Sequence, residues 1–177
     1  MAVEWIEWTP EVAAQREDIR AAVMRFTAPQ RHEAGVRATE WLRESALQAH
    51  PGCVTRLMMS EGVVQGFYAL AMSEVVLAQR GRKELGSDFP RQGAVLITWF
   101  ARAENPTESD VAATMLHHAV AVARNAARAV GASVIALDPW DDDVDRYWRE
   151  TWGFKPSQTE FRERPKRLWR VLFPSDG

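Results

Sequence analysis

One cysteine, Cys53, stands in a chain of 177 residues. A single thiol makes an intrachain disulfide impossible and excludes a zinc site of four cysteines, so we expect a reducing, cytoplasmic setting. No apolar run reaches the roughly 18 residues that cross a bilayer, and no charged-then-apolar signal segment opens the chain, so no membrane association is expected. Neither sign of charge dominates. The 22 basic and 24 acidic residues leave a net charge of −2, too little to draw the chain as a whole to nucleic acid. Three catalytic signatures are missing: G-x-S-x-G, G-x-x-x-x-G-K-[ST] and H-E-x-x-H. His117 and His118 are adjacent, so on a helix their side chains diverge by about 100° and cannot close on one metal. Asp141, Asp143 and Asp145 begin like a calcium loop. Arg146 then stands where glycine is needed and Trp152 where a bidentate glutamate is needed, so these carboxylates read as the first turn of a helix. We expect no metal, and Cys53 reads as a small buried hydrophobe.

What is present is an ordinary globular composition, 46% hydrophobic and 26% charged, at the length of one domain. A single domain over residues 1–177 is therefore expected, burying roughly 70% of its unfolded surface. Residues 3–8 alternate like a half-buried strand. Thr9-Pro10 reads as a helix start, with Val12, Ile19, Val23 and Phe26 on one face and Pro29 as the stop. A second helix spans about 33–49 and ends at His50-Pro51-Gly52. A hairpin follows: a strand over 54–60, the turn Glu61-Gly62, and a longer strand over 63–77. Residues 78–92 are polar and read as loop. The apolar run 95–100 reads as a central strand buried on both faces.

The clearest helix follows Asn105-Pro106, capped by Thr107 or Ser109. Its apolar stripe is Val111, Met115, Ala119, Val122, Ala126 and Val130, and Gly131 ends it. A short buried strand over 134–137, a helix over 141–152 and a strand over 166–173 complete the chain. With a strand–helix–strand unit inside it, this order predicts a mixed α/β layered fold. Charge is uneven along it. Arg80, Arg82, Lys83 and Arg91 form one basic cluster. Lys155, Arg162, Arg164, Lys166, Arg167 and Arg170 form another, just after the acidic run 138–145. Of the eight tryptophans most read as core, with Trp99 and Trp148 as candidates to line a cleft.

Three strings resemble the GCN5-related N-acetyltransferase (GNAT) superfamily. Val64-Gln65-Gly66-Phe67-Tyr68-Ala69-Leu70 is similar to that family's third strand. The strand Leu96 to Ala101 runs through a short loop into the long helix, as in that family. Trp148-Arg149-Glu150-Thr151-Trp152-Gly153-Phe154-Lys155-Pro156 is similar to its closing helix and strand. Trp41-Leu42, the GFYALA string and the GFKPSQT ending look most like the aminoacyl-tRNA-acetylating toxins of toxin–antitoxin modules. The resemblance spans roughly residues 35 to 173. It implies a GNAT-like mixed central sheet with helices on both faces, whose fourth and fifth strands splay to take the pantetheine arm of acetyl-CoA.

By that resemblance Phe100, Ala101 and Arg102 would bind the pantetheine, and Ser109, Asp110, Val111 and Ala112 the pyrophosphate. In the family's loop motif, R/Q-x-x-G-x-G/A, only Ala112 matches here. Asp110 replaces a glycine and Glu108 lies beside it, so two carboxylates are expected to crowd a dianion. The family's tyrosine acid falls on Arg149, four residues before Gly153. Tyr147, two residues earlier, lies about 200° around the helix. Tyr147 is the candidate to protonate the CoA thiolate and Arg149 to stabilise it by charge.

Two functions stay open. One is an acyl-CoA-dependent N-acyltransferase acting by direct attack of a primary amine, with a small molecule or an aminoacyl group as acceptor. The other is a catalytically inactive GNAT-like protein that binds a ligand, a nucleic acid or a partner; an unrelated α/β fold is the third reading. The resemblance implies tRNA and a protein antitoxin as partners, and a homodimer is left open.

Overall fold

The computed structural model describes residues 3–159 and 165–173. Its elements are β1 (Glu4–Glu7), α1 (Pro10–Gln15), α2 (Glu17–Arg25), α3 (Glu33–Glu40), a π-helical turn (Trp41–Ser45), α4 (Ala46–Ala49), β2 (Val54–Ser60) and β3 (Val63–Val76), followed by α5 (Gln79–Leu85), β4 (Arg91–Arg102), α6 (Val111–Val130), β5 (Val134–Leu137), α7 (Asp142–Trp152), β6 (Lys155–Pro156) and β7 (Leu168–Val171). The strands make one mixed sheet in the order β1-β2-β3-β4-β5-β7-β6. β4 and β5 are parallel, while β1·β2, β2·β3, β5·β7 and β6·β7 are antiparallel. This is the α/β architecture the element order predicts. The chain divides into two compact units, Met1–Ala71 with Thr98–Ala119 and Met72–Ile97 with Val120–Gly177.

In the first unit, register decides which side chains share a face. Trp5 pairs with Met58, Glu7 with Arg56, and Arg56 with Tyr68. Period-2 alternation therefore turns Ile6, Leu57 and Phe67 to the opposite side. There they join Ile19, Val23, Phe26 and Leu42 in one apolar cluster. Thr9 caps α1 as expected, accepting the Val12 N–H at 3.2 Å. The single helix expected up to Phe26 is broken at Arg16 (φ −117°, ψ 80°). There the guanidinium turns to Asp18 with bonds of 3.0 and 2.8 Å. The helix expected over 33–49 carries the π-helical turn. One extra residue per turn rotates Trp41 into a stack with Phe67 (5.9 Å, 12°) and Trp99 (5.2 Å, 23°).

The second unit holds β5, buried along its length, in a cluster with Val75, Leu77, Ala94 and Trp169. Here the loop expected over 78–92 is corrected. Residues 79–85 form α5, closed by Gly86 at φ 62°, and β4 starts at Arg91. Polarity concealed the helix, because Gly81 is its contact point. A Cβ at Gly81 would lie 2.8 Å from the Trp169 ring, so the helix packs through a missing side chain rather than an apolar stripe. The last strand is shorter than 166–173, since Arg167 turns inward to Asp138 just before it. Asp141 caps α7 by accepting the Val144 N–H at 2.8 Å, and Asp142, Asp143 and Asp145 lie in its first turn. On α6 the buried stripe is Met115, Leu116, Ala119, Ala123 and Ala127, whereas Val130 is 58% exposed. The expected stripe through Val122 and Ala126 drifts off the core because the contact row follows i, i+4 steps.

Candidate functional site

β4 pairs with β5 only from Ala94 to Ile97. The strand then continues through Thr98 to Arg102. Trp99 and Ala101 pack on the core of the first unit, and Thr98 donates its hydroxyl to the Ala69 carbonyl at 3.2 Å. Phe100 and Ala101 are half-buried and Arg102 is exposed. Gly66 makes the approach of β3 to this strand possible. A Cβ there would meet Met115 Sδ at 2.6 Å and the Ala101 carbonyl oxygen at 2.9 Å. Beyond Arg102 the chain turns sharply. Ala103 donates its N–H to the Gln65 carbonyl (2.7 Å) and Glu104 to the Thr27 carbonyl (2.8 Å).

The loop before α6 is tied to the β2–β3 hairpin by side chains. Thr107 and Glu108 both donate their backbone N–H to Gln65 Oε1, at 2.8 and 3.4 Å. Ser60 donates its hydroxyl to the Glu108 carboxylate at 2.5 Å. Asp110 has φ 53°. It adopts the left-handed conformation that glycine takes readily, at about 1 kcal/mol of strain. α6 begins immediately after it, with the Thr114 N–H donating to the Asp110 carbonyl at 2.9 Å. The cap expected from Thr107 or Ser109 is therefore corrected: Asp110 flanks the helix, and the Thr107 N–H serves Gln65. The N–H groups of Val111, Ala112 and Ala113 precede the first intrahelical bond and have no intrahelical acceptor. The residues fit a diphosphate: the turn has the shape a glycine would give, the helix end offers donors without an intrahelical acceptor, and Ser60 engages one of the two carboxylates.

In the second unit, Tyr147 on α7 is 43% exposed and edge-on to Trp148 (6.0 Å, 74°). Arg149 is exposed and paired with Asp145 at 3.3 Å. Trp148 is 5% exposed and packed edge-on against Phe154 (5.3 Å), so it belongs to the core. An open groove of about 590 Å³ beside α7 and β6 is lined by six charged residues of both signs, including Arg149 and Lys155. The other tyrosine, Tyr68, is fully buried. Burial pushes its pKa up, so it stays protonated, with its hydroxyl 2.8 Å from His118 Nδ1. His118 stacks on Trp5 (3.8 Å, 8°). Burial, then the charge of Arg56, lowers its pKa.

Much of the basic sequence is neutralised locally. Lys155 pairs with Glu84 (2.6 Å) and Arg91 with Glu74 (2.5 Å). Arg167 holds Asp138 with two bonds of 2.6 and 2.7 Å and also reaches Ser73 and the Glu74 carbonyl. Arg82 bonds the Asp88 carbonyl and Arg170 the Trp152 carbonyl. Arg162 and Arg164 lie outside the described residues. Among the described residues no three His, Cys, Asp or Glu side chains gather as a metal site, and no helix is long and apolar enough to cross a membrane. Sequence reasoning missed Ser60 and Gln65. The one available signal was Gln65, a lone polar side chain inside the apolar string 63–70.

No family model matches the chain, and no curated protein does. Solved structures do. The toxin AtaT complexed with acetyl-methionyl-tRNAfMet is 16% identical, with a TM-score of 0.71 over 96% of this chain and 95% of that one. A tyrosine-to-phenylalanine mutant of KacT is 12% identical, with a TM-score of 0.72 over 97% and 96%. AtaTR bound with acetyl-CoA is 17% identical, with a TM-score of 0.68 over 96% and 94%. The chain shares the fold of these proteins over 96–97% of its length.

Proposed function

We propose that this chain is an acetyl-CoA-dependent N-acetyltransferase, acting as one catalytic domain, whose acceptor is the primary amine of an aminoacyl-tRNA. The observation that supports it most is the strand–loop–helix unit, in which β4 outruns its ladder and feeds through a left-handed Asp110 into the open end of α6. Acetyl-CoA, when bound, supplies an acetyl group activated as a thioester. In this reading the backbone of Phe100, Ala101 and Arg102 pairs with the pantetheine arm. Ser109, Asp110, Val111 and Ala112 receive the diphosphate with their N–H groups, helped by the positive end of the helix dipole.

The chain holds the two reactants in attack geometry, so that a neutral amine forms the new C–N bond as the C–S bond breaks. The proton lost by the amine passes to water. Tyr147 delivers a proton to the departing sulfur, and Arg149 adds a fixed positive charge. With Tyr68 buried and committed to His118, Tyr147 is the accessible phenol of the chain's two. The tRNA acceptor is assigned by likeness to AtaT, whose structure holds acetyl-methionyl-tRNAfMet, and a protein antitoxin by likeness to the AtaT–AtaR complex. Transfer of labelled acetyl groups from acetyl-CoA to charged tRNA tests the assignment. Label on tRNA stripped of its amino acid, or none at all, would contradict it.

One observation favours a second reading, a module that binds without turnover. The residue four before Gly153 is Arg149, already paired with Asp145. Cofactor binding without any acyl transfer would select that reading.

A further inference from the structure

We propose that Ser60 and Gln65 are positioning residues for the cofactor diphosphate: from either side of the Glu61-Gly62 turn they shape the loop before α6 and hold the Glu108 carboxylate off the helix end. The proposal rests on the reading that acetyl-CoA binds there. Both residues are buried, Ser60 at 2% and Gln65 at 0% exposure. A tight turn with Glu61 at φ 49° and Gly62 at φ 74° joins their strands, so their side chains are presented from a stiff hairpin.

Gln65 grips the loop at three points: its carbonyl takes the Ala103 N–H, and its Oε1 takes those of Thr107 and Glu108. Its Nε2 is buried without a hydrogen-bond partner. An apolar residue of the same length would avoid that cost, so packing alone does not explain a glutamine here.

Ser60 handles the charge. A carboxylate free to rotate in this loop competes with a phosphate for the amides of the first turn, because both are anions favoured at that end of a helix. The 2.5 Å bond from Ser60 gives Glu108 a different seat, on the hairpin. The acidic loop is thereby compatible with a dianion. Glycine achieves the family's loop shape by backbone freedom; here two buried side chains impose it.

The test uses the full chain and CoA as the probe, read by calorimetry, with melting temperature followed throughout. Ser60→Ala frees the carboxylate and should weaken CoA binding about tenfold. Glu108→Gln, which keeps an acceptor for Ser60, should bind CoA at least as well as the parent. The double variant S60A/E108Q should return to within about threefold of the parent. A purely structural hydroxyl would give a loss that removal of the charge cannot restore, and that outcome overturns the proposal, as does a Ser60→Ala variant with parental affinity.

Amide hydrogen exchange reports on the grip independently of any ligand. Gln65→Met should speed exchange at Thr107 and Glu108 while leaving β2 and β3 protected. Unchanged exchange at those two amides overturns the grip. Should Gln65→Met not fold, Gln65→Glu, which keeps the acceptor, must show slow exchange there. If the parent chain binds no CoA, the functional reading fails, and the exchange result alone decides whether the grip exists.

Discussion

Asp110 occupies a backbone conformation with φ 53°, which suits glycine, and its exposed carboxylate stands beside a proposed dianion site. Asp110→Gly removes both penalties: about 1 kcal/mol of backbone strain and a like charge at the diphosphate. CoA should bind about tenfold more tightly in calorimetry; unchanged affinity would detach this residue from the site. Tyr147 makes a sharper claim. Loss of a real general acid lowers turnover by about 10²–10⁴-fold, so Tyr147→Phe with full kcat would retire its role. Arg167 tests the architecture instead of the chemistry. It is 9% exposed and pairs with Asp138 in two-pronged fashion. Arg167→Met strands a largely buried carboxylate and should cost about 3 kcal/mol, lowering Tm by roughly 6–12 °C in a chain of this size. Replacing Asp138 by leucine in the same chain should recover part of that loss. No recovery would mean that Arg167 acts through packing.

Elements show which features the sequence made legible. One cap could be read: Thr9 accepts the Val12 N–H that its spacing predicts, because an N-cap is a local interaction over three residues. The β2–β3 hairpin and β5 could be read from turn residues and apolar runs. α5 could not, because its contact is Gly81 against Trp169, a tertiary fit with no periodicity of its own. Ser60 and Gln65 escaped for the same reason. Their partners lie 48 and 42 residues away, and one local string cannot reveal such a pair. The loop motif predicted two carboxylates crowding one place, whereas Glu108 is engaged by Ser60.

On α6, His118 gives a pH test. It faces the Tyr68 hydroxyl and the Trp5 ring, with the Arg56–Glu7 ion pair on the neighbouring strands and His50, from the end of α4, beside Glu7. Its folded pKa lies below the ordinary value of about 6.5, so on acidification the unfolded chain takes up this proton first. Stability should therefore hold above about pH 6.5, fall as pH drops through it, and level off below the folded pKa. His118→Gln should flatten that acid limb in urea melts followed against pH. An identical slope would show that another group dominates.

At the scale of the molecule, a net charge of −2 and local pairing of Lys155, Arg91 and Arg167 leave modest electrostatic attraction for a polyanion. Any tRNA binding should be weak and steeply salt-dependent, falling by at least tenfold between about 50 and 200 mM salt. Tight binding indifferent to salt would mean that contacts other than phosphate neutralisation hold the RNA. The central claim is prior to the acceptor: β4 and the open end of α6 form a site for acetyl-CoA. A calorimetric titration of acetyl-CoA into the full chain tests it most directly. The account predicts saturable binding at one site per chain, tightened by Asp110→Gly and weakened by Ser60→Ala; no saturable heat at millimolar acetyl-CoA would contradict it.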